Sequence, residues 1–534
     1  MKNAHGTFNL NKNATLNIGV ALTDRDTHAA NDSTWNGETL TKRGSGTLIL
    51  SAANTYTGST IIDGGTLTTA VDNAFSQTAS VQVAPEATLN LGGNSQRLAI
   101  GGTLNNRGTI LINTPGAIAI KALSFMGDMQ NSGNLVLNNC THCAGQRYTQ
   151  QGNWRGEHGS VSFGVVLNGD DSLSDQLHIT GNASGTTYIH LYNEGGVGAQ
   201  TNTGIPLITT ASSTTGAFKQ SGRLLAGSYD YYLRQGNEDG REMQNWYLAS
   251  AIRPEAGIYA GNLQAANTLF TTRREDRQGV ALDNRSRDGA TSARRLWMRV
   301  VGGHTTGRLS DHQSRYQANR LAYQLGADLL QTRVTGEDSL RLGVMAGYGH
   351  QASRNQNRLS GYSAKGTVSG YSTGLYGTWS QHAQSQRGLY LDGWLLYNWF
   401  DNHVQGEDVA EETYRSHGLT GSVESGYAIL LAEHRRNSNT VVDHVYFTPQ
   451  AQLQWAGVTA APHREYTGAT VQSLGSHNLQ TRLGIRLSMI HDVQWSNTQH
   501  TRIEPFIEAN WLHTQKRYGA KIDANSTYLD PIPK

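Results

Sequence analysis

The chain has 534 residues, including 61 glycines and 9 prolines, and only 16% of its residues are charged. This composition argues against a helical protein and is typical of many strands joined by tight turns. The net charge of +2 argues against a nucleic-acid partner, and a mean hydropathy of −0.49 without any long apolar run excludes a transmembrane helix. A transmembrane β-barrel stays open, because its strands need apolar residues only at alternate positions.

The first residues, MKNAHGTFNLNKNATLNIG, lack the basic and apolar segments of a secretion signal and look like the interior of a repeat. We therefore expect the chain to be either a fragment of a longer product or a product that has lost its upstream part. The residues do not decide between a fragment and a pseudogene product.

Residues 1–149 carry a loose repeat of about twenty residues in which threonine is followed by an apolar residue. Strands such as Thr47–Leu50 and Thr88–Leu91 alternate apolar and polar side chains. One such strand cannot bury its apolar face alone, so the strands are expected to stack as rungs of a right-handed parallel β-helix. The Thr-apolar pairs begin at Thr7, Thr15, Thr47, Thr66, Thr88, Thr103 and Thr109.

Residues 40–70, LTKRGSGTLILSAANTYTGSTIIDGGTLTTA, give a more specific signal. They predict a strand, an Asn-rich turn and a second strand, with Tyr56 over the turn and Gly64–Gly65 in a turn that needs positive φ. The motifs G-x-G-T-L-x-L, N-T-Y-T-G and I-x-x-G-T-L resemble the repeat associated with autotransporters, which are self-exporting bacterial surface proteins. We interpret these residues as structural rather than ligand-binding.

The two cysteines, Cys140 and Cys143, stand in the sequence C-T-H-C. The favoured interpretation is a small local disulfide in a secreted protein. A redox motif would need a βαβ context, and a zinc site would need more ligands than His142 adds. The sequence does not decide whether the disulfide forms.

Residues 150–252 contain a dense series of Gly, Asp and aromatic motifs. These are Asn153–Trp154, Asp171–Ser172, Asp175–Leu177, Gly181, Ser184–Gly185, Gly195–Gly196, Gly198–Ala199, Gly204–Ile205, Gly227–Tyr229 and Trp246–Leu248. They closely resemble the pertactin-like end of autotransporter passengers, the autochaperone. We expect short antiparallel strands whose core is enlarged by Tyr229, Tyr231, Tyr232, Trp246 and Tyr247. Such a cap would let the β-helix nucleate outside the cell, and a cap without a kinetic role is the alternative.

Residues 253–290 are predicted to contain a linker helix. Pro254 suits a first helical turn, and Tyr259, Leu263, Ala266 and Phe270 recur at helical spacing. Acidic Glu255 precedes this apolar stretch, and the charged cluster of residues 273–277 follows it. The segment resembles the helix that lies in the pore of autotransporter barrels, which implies that it threads a polar lumen. A helix packed against the barrel rim is the alternative.

Residues 291–534 predict amphipathic strands. Leu483, Ile485 and Leu487, for example, alternate with Arg482 and Arg486. An apolar outer face and a polar inner face are typical of a transmembrane antiparallel β-barrel, whereas a soluble sandwich would not place arginine on its buried face. Residues 296–309 and 505–513 resemble strands of the autotransporter barrel.

We count about nine strands in this domain, against about twelve that the resemblance implies. They lie near Arg308, Leu325, Tyr348, Leu375, Leu395, Tyr427, Leu453, Ile485 and Ile507. The ending NSTYLDPIPK is neither a strand nor the aromatic terminus that the resemblance implies, so we expect an incomplete barrel that is missing its last strands. An open edge would leave polar backbone groups unpaired in lipid, and the hypothesis is that the chain as given forms no functional pore.

No catalytic, cofactor-binding or metal-binding residues are predicted. Gly370–Gly374 matches G-x-S-x-G but lies in a predicted strand rather than at a strand-to-helix turn. The acidic residues Asp170, Asp171 and Asp175 are interpreted as turn-forming rather than as calcium ligands. The Asn-Asn cleavage signature of the serine-protease subgroup of autotransporters is not seen, since Asn262 and Asn267 stand apart.

The resemblance spans roughly residues 40–515 and implies an outer-membrane autotransporter of the adhesin type, which displays its own passenger by type V secretion. The implied role of the passenger is adhesion or cell–cell aggregation. The implied partners are outer-membrane lipid, the barrel-assembly machinery and ligands on host or neighbouring cells, with a monomeric barrel and no nucleic acid. One alternative is the stem and translocator of an enzyme whose catalytic part lies upstream. Another is a truncated, non-functional remnant. Neither the adhesion ligand nor passenger cleavage can be read from these residues.

Overall fold

The computed structural model describes residues 6–24, 39–72, 74–75, 78–91, 97–99, 102–112, 122–137, 144–277, 280–281, 295–382, 387–436, 441–496 and 499–530. The chain divides into two compact units, Met1–Ile252 and Arg253–Lys534. Within the described ranges, no helix is long and apolar enough to cross a membrane. Cys140 and Cys143 lie outside these ranges, so their disulfide stays a prediction.

The first unit is built of strands. They are β1 Thr7–Asn9, β2 Thr15–Ile18, β3 Leu40–Arg43, β4 Thr47–Leu50, β5 Thr60–Ile62, β6 Gly65–Thr69, β7 Ser80–Val83, β8 Ala87–Leu91, β9 Arg97–Ala99, β10 Thr103–Asn106, β11 Thr109–Ile112, β12 Ala122–Met126, β13 Met129–Asn131, β14 Asn134–Val136, β15 Arg147–Gln151, β16 Trp154–Val165, β17 Gln176–Asn193, β18 Ile205–Ser213, β19 Phe218–Gln220, β20 Leu224–Ala226, β21 Tyr229–Gln235 and β22 Trp246–Ile252.

The early strands stack in parallel as a β-helix. One ladder runs through β2, β4, β6, β8, β11 and β14. The predicted threonines share one register position in it, namely Thr15, Thr47, Thr66, Thr88 and Thr109. The residue after the threonine is buried in β4, β6, β8 and β11, where Leu48, Leu67 and Leu89 are fully buried, whereas Leu16 of β2 is exposed. The predicted parallel β-helix is therefore confirmed, because each rung covers the apolar face of the next.

The repeat at residues 40–70 forms four of these strands, β3 to β6. Tyr56 is buried over the turn, with its hydroxyl 2.6 Å from Thr60 Oγ1. Gly65 has a φ of +64°, and a Cβ atom there would lie only 2.4 Å from the carbonyl oxygen of Gly44 on the neighbouring rung. The turn therefore needs glycine both for its backbone angle and for the close approach of two rungs.

Residues 150–252 differ from the prediction in strand direction. β15, β17 and β18 pair in parallel, as do β16, β17 and β19, so they continue the β-helix. Their inward residues, such as Trp154, Phe163 and Leu177, are buried and extend the core of the preceding rungs. Antiparallel pairing is confined to β20, β21 and β22, and β22 also runs antiparallel to β18. This end buries Tyr231 and Trp246.

The second unit contains one described α-helix, α1 Glu255–Thr268, and a 3-10 turn at Glu275–Arg277. Its strands are β23 Val280–Ala281, β24 Arg295–Arg308, β25 Ser314–Thr332, β26 Ser339–Asn357, β27 Ser363–Ser380, β28 Gly388–Gly406, β29 Glu412–Arg436, β30 Val441–Ala456, β31 Thr459–Ala460, β32 His463–Arg464, β33 Thr470–Leu474, β34 Asn478–Ser496, β35 Gln499–Ile503, β36 Phe506–Thr514, β37 Gly519–Ile522 and β38 Asn525–Tyr528.

Nine long strands form an antiparallel sheet in chain order, β24 to β30 followed by β34 and β36. Each lies at the position that the sequence predicted. The short strand β23 pairs with the outer edge of β24. Among the described residues, β36 pairs with β34 and its other edge pairs with no strand.

The two faces of this sheet differ as predicted. Leu375, Leu395 and Ile485 are half-exposed on the outer face, as a lipid-facing surface requires. Arg482 and Glu424 are buried on the inner face, and Arg482 contacts Glu424 at 3.2 Å. This arrangement confirms the barrel-type sheet.

A second small sheet lies at the end of the barrel where α1 begins, and we call it the rim sheet. It consists of β32, β33, β37 and β38, all antiparallel. Residues 525–528 thus form a strand, so the prediction of no strand in the chain's ending is wrong. Beyond β38, Leu529 forms a bridge with Leu309 at the end of β24. The amide of Ser310 also donates to the carbonyl of Tyr528 at 2.9 Å.

Candidate functional site: the helix in the barrel lumen

Helix α1 packs against the inner face of strands β25 to β29 and against the rim sheet. The predicted stripe, Tyr259, Leu263, Ala266 and Phe270, is buried, but so are the polar residues Glu255, Asn262 and Asn267 on other faces. A helix that is buried all round lies inside a protein rather than on its rim. A position of the helix inside the barrel is therefore favoured over packing against the rim, and the buried surface extends beyond the four residues that the spacing predicted.

The barrel wall approaches the helix closely at glycines. A Cβ atom at Gly366 of β27 would lie 2.1 Å from Ile258 Cγ2. On the helix side, a Cβ atom at Gly261 would lie 2.3 Å from the hydroxyl of Tyr316 on β25. Because neither position leaves room for a side chain, the barrel wall and the helix are in direct contact at these two points.

The start of the helix is held by a group that we call the entrance clamp, formed by Arg253, Tyr259 and Glu465. Arg253 forms a buried ion pair with Glu465. The hydroxyl of Tyr259 donates to Glu465 Oε1 at 2.8 Å, and Thr467 donates to Glu465 Oε2 at 2.8 Å. Glu465 lies between β32 and β33, so the residue that binds the start of the helix belongs to the rim sheet. The sequence had pointed to Glu255 as the anchor and missed Glu465, because 212 residues separate Glu465 from Arg253.

Asparagines join the middle and the last turn of the helix to the barrel. The Nδ2 group of Asn267 donates to the carbonyl of Val458, whose own amide donates back to Asn267 Oδ1, both at 2.9 Å. Asn262 donates to the carbonyl of His403 on β28 at 3.2 Å. The two asparagines that the cleavage-signature search had examined thus join the helix to the barrel through the barrel's backbone.

The charged cluster after the helix forms a second anchor, which we call the exit cluster. Arg277 pairs with Asp392 of β28, and both groups are buried. Asp276 forms an ion pair with Arg299 at 3.3 Å, and Arg273 forms one with Glu508 of β36 at 2.5 Å. The polar segment between helix and cluster is also bonded, since Trp394 Nε1 donates to the carbonyl of Thr272 at 2.8 Å. The predicted role of residues 273–277 as a charged anchor is consistent with these contacts.

Three family models match three parts of the chain, and the range of the autochaperone model differs from the range predicted from the sequence. The family model "Autotransporter beta-domain" matches residues 296–530, "Autochaperone Domain Type 1" matches residues 102–233, and "Passenger-associated-transport-repeat" matches residues 40–68. YdeU of Escherichia coli K12, an uncharacterized protein, is 38% identical over 409 residues, which are 72% of this chain and 87% of YdeU. The chain belongs to the autotransporter family.

Two longer relatives also match. The uncharacterized protein YuaQ of E. coli K12 is 34% identical over 99% of this chain and 38% of its own length. The autotransporter adhesin AIDA-I of E. coli is 37% identical over 71% of this chain and 30% of its own length. The crystal structure of the AIDA-I transport unit covers 52% of this chain and 84% of its own, with 33% identity and a TM-score of 0.45. The chain thus spans well under half the length of YuaQ and AIDA-I.

As an autotransporter, the protein lies in the outer membrane with its passenger at the cell surface. Within its passenger, the carboxylate of Asp175 is buried between neighbouring segments of the chain. Asp175 Oδ1 accepts the amides of Gly145 and Gln146 at 2.9 and 2.8 Å, and Oδ2 accepts that of Gly164 at 2.7 Å. Burial raises the pKa of Asp175 to about 6, and the three amide donors oppose that rise.

The other acidic residues considered as calcium ligands are placed differently. Asp170 accepts the amides of Asn202, Thr203 and Gly204 at 2.9 to 3.2 Å in an exposed loop. Burial acts to raise the pKa of Asp170, but these donors together lower it below its ordinary value. Among the described residues, no three His, Cys, Asp or Glu side chains are grouped as metal ligands. Gly370–Gly374 lies inside strand β27, where no strand-to-helix turn exists.

Proposed function

We propose that this autotransporter carries its own β-helical passenger through the outer membrane and that the passenger mediates adhesion. The observation that supports export is helix α1, which fills the barrel lumen and is held there at both ends by the entrance clamp and the exit cluster. A chain that passes through the pore must leave a segment inside it when export stops, and α1 is such a segment. The adhesive role is supported by the name of AIDA-I, an adhesin.

The four segments have separate roles in this proposal. Residues 1–149 are the β-helical stem, and residues 150–252 are the autochaperone, on which the stem stacks rung by rung. Residues 253–290 are the linker, and residues 291–534 belong to the translocator barrel. No segment is assigned a catalytic role. The barrel-assembly machinery inserts the barrel as a monomer, and ligands on host or neighbouring cells bind the passenger.

Export is tested by expressing the full chain behind a cleavable secretion signal in E. coli. Proteinase K added to intact cells should remove residues 1–252 and spare a fragment that begins near Arg253, because α1 is enclosed by the barrel. Heat-modifiable electrophoretic mobility of that fragment should mark a folded barrel. A chain that stays fully protected in intact cells, or that shows no heat-modifiable band, would contradict export and would agree with a remnant that forms no pore.

Adhesion is tested on the same cells before and after proteinase K treatment. Expressing cells should settle and adhere to epithelial monolayers faster than vector-only cells, and the treatment should abolish the difference. Treated vector-only cells control for the loss of other surface proteins. If untreated expressing cells behave like vector-only cells although their passenger is exposed, adhesion is wrong and export stands.

A further inference from the structure

A groove crosses three rungs of the β-helix, at β15, β17 and β18, and we call it the Arg147 groove. Its volume is about 350 Å³, within the size range of sites for small ligands. Its outward side chains come from β15, β17 and β18 and are Arg147, Thr149, Gln176, His178, Pro206 and Thr209. The floor is the β-helix itself, where Tyr148 and Leu177 are buried beneath.

The groove side chains are placed in register. Arg147 lies opposite Gln176, and Thr149 lies opposite His178, which lies opposite Thr209 on the next rung. Successive rungs are about 4.8 Å apart. The groove therefore offers polar groups at a regular step along the axis of the β-helix, and this step is comparable with the length of one sugar ring.

Arg147 is exposed and has no acidic partner within 4 Å in the part of the chain that the structure describes. The acidic residue beside the groove is Asp175, which is fully buried and accepts three backbone amides. Two of these amides, from Gly145 and Gln146, immediately precede Arg147, so Asp175 fixes the backbone from which the guanidinium projects. The groove thus has a positioned cation without a counter-charge.

From these observations we infer that the Arg147 groove binds an anionic saccharide, with its carboxylate or sulfate on Arg147. A guanidinium presents paired donors that match a carboxylate. The hydroxyls and amide of Thr149 and Gln176 are suited to sugar hydroxyls, and Pro206 gives a flat apolar contact for a ring. His178, whose Nδ1 lies 2.6 Å from Thr209 Oγ1, bounds the far side. This inference deepens the proposed adhesive function, on which its biological meaning rests.

Binding is measured with the purified full chain in detergent micelles. The probes are a tetramer of galacturonic acid, a sulfated disaccharide oligomer and, as a neutral control, maltotetraose. The two anionic probes distinguish a carboxylated from a sulfated source of the same chemistry. We expect at least one of them to bind, with an affinity that falls as salt rises, and the neutral probe not to bind.

Variants identify the site. Arg147→Ala should weaken binding roughly tenfold or more, since it removes a hydrogen-bonded charge pair, and Gln176→Ala should weaken it less. Arg155→Ala is the matched control, because Arg155 is an exposed arginine of β16 that already pairs with Glu157 at 3.2 Å. It should leave affinity unchanged.

The inference fails if neither anionic probe binds, if maltotetraose binds equally well, or if Arg147→Ala and Arg155→Ala have the same effect. These results are independent of the export and adhesion tests, because they use purified protein. Cells that adhere equally with wild-type and Arg147→Ala passengers would show that adhesion stands and that this groove does not supply it.

Discussion

Asp175 gives the sharpest prediction, because its single carboxylate accepts amides from two other parts of the passenger. In Asp175→Ala, the amides of Gly145, Gln146 and Gly164 lose their acceptor in a buried site. Each unsatisfied buried donor costs about 1–3 kcal/mol, so we expect a loss of about 4 kcal/mol in the free energy of unfolding of this segment.

The pH dependence of the wild type has a definite sign. The folded-state pKa of about 6 lies above the ordinary value of 3.8. The resulting stabilisation is fully present below pH 3.8 and is lost as the pH rises through 6, because the unfolded state releases its proton first. The difference amounts to about 3 kcal/mol between the two ends of this window.

Hydrogen exchange measured by mass spectrometry on the full chain is the assay, since it reports the opening free energy at Gly145, Gln146 and Gly164 themselves. Asp175→Asn should flatten the pH slope between pH 4 and 6, because the amide does not titrate. Asp170→Asn is the control. The pKa of Asp170 is lowered, so the stabilisation that its carboxylate contributes is lost as the pH falls, which is the opposite direction to Asp175. If Asp175→Asn keeps the wild-type slope, or if protection at these amides rises with pH, the reasoning about Asp175 is refuted.

Three further predictions concern the lumen. Glu465→Ala should destabilise the bound position of the helix by about 3–5 kcal/mol, since it leaves Arg253 buried and unpaired. It should also expose residues 253–260 to protease added outside the cell. Glu411→Ala, at an exposed site, is the control and should have neither effect. Asn267→Ala should cost about 1–3 kcal/mol and speed hydrogen exchange at Val458, while leaving the entrance clamp closed. Gly366→Val should prevent the helix from seating, because Ile258 occupies the space of the new Cβ atom; a trypsin-resistant helix fragment in this variant would contradict the fit.

Features with a short period could be predicted from the sequence. Each threonine at the start of a rung and the leucine after it report local alternation, which is why Thr47–Leu48 and Thr88–Leu89 were placed correctly. The same holds for the barrel, where residues such as Leu395 and Asp392 show which side of a strand faces lipid. Alternation does not reveal whether two strands run in parallel, so β16 to β19 were predicted with the wrong direction.

The contacts of the site could be predicted only in part. The charges at residues 273–277 were visible because they stand together in the chain. Their partners, Asp392 and Glu508, and the partner of Arg253, Glu465, lie 115 to 235 residues away and have no local pattern of their own. Asn267 was noticed as one of two separated asparagines, but its bond to a backbone group at Val458 cannot be read from residue types.

The rim sheet has a consequence for the order of assembly. Its pairing of β33 with β37 joins segments that lie before and after β34 and β36 in the chain. The rim sheet cannot form until both of those strands have formed. Glu465, which binds the start of the helix, therefore reaches its final position late. A rim sheet that formed early would close the pore around the passenger during export. Here the chain order delays the rim sheet until nearly all the described barrel strands have formed.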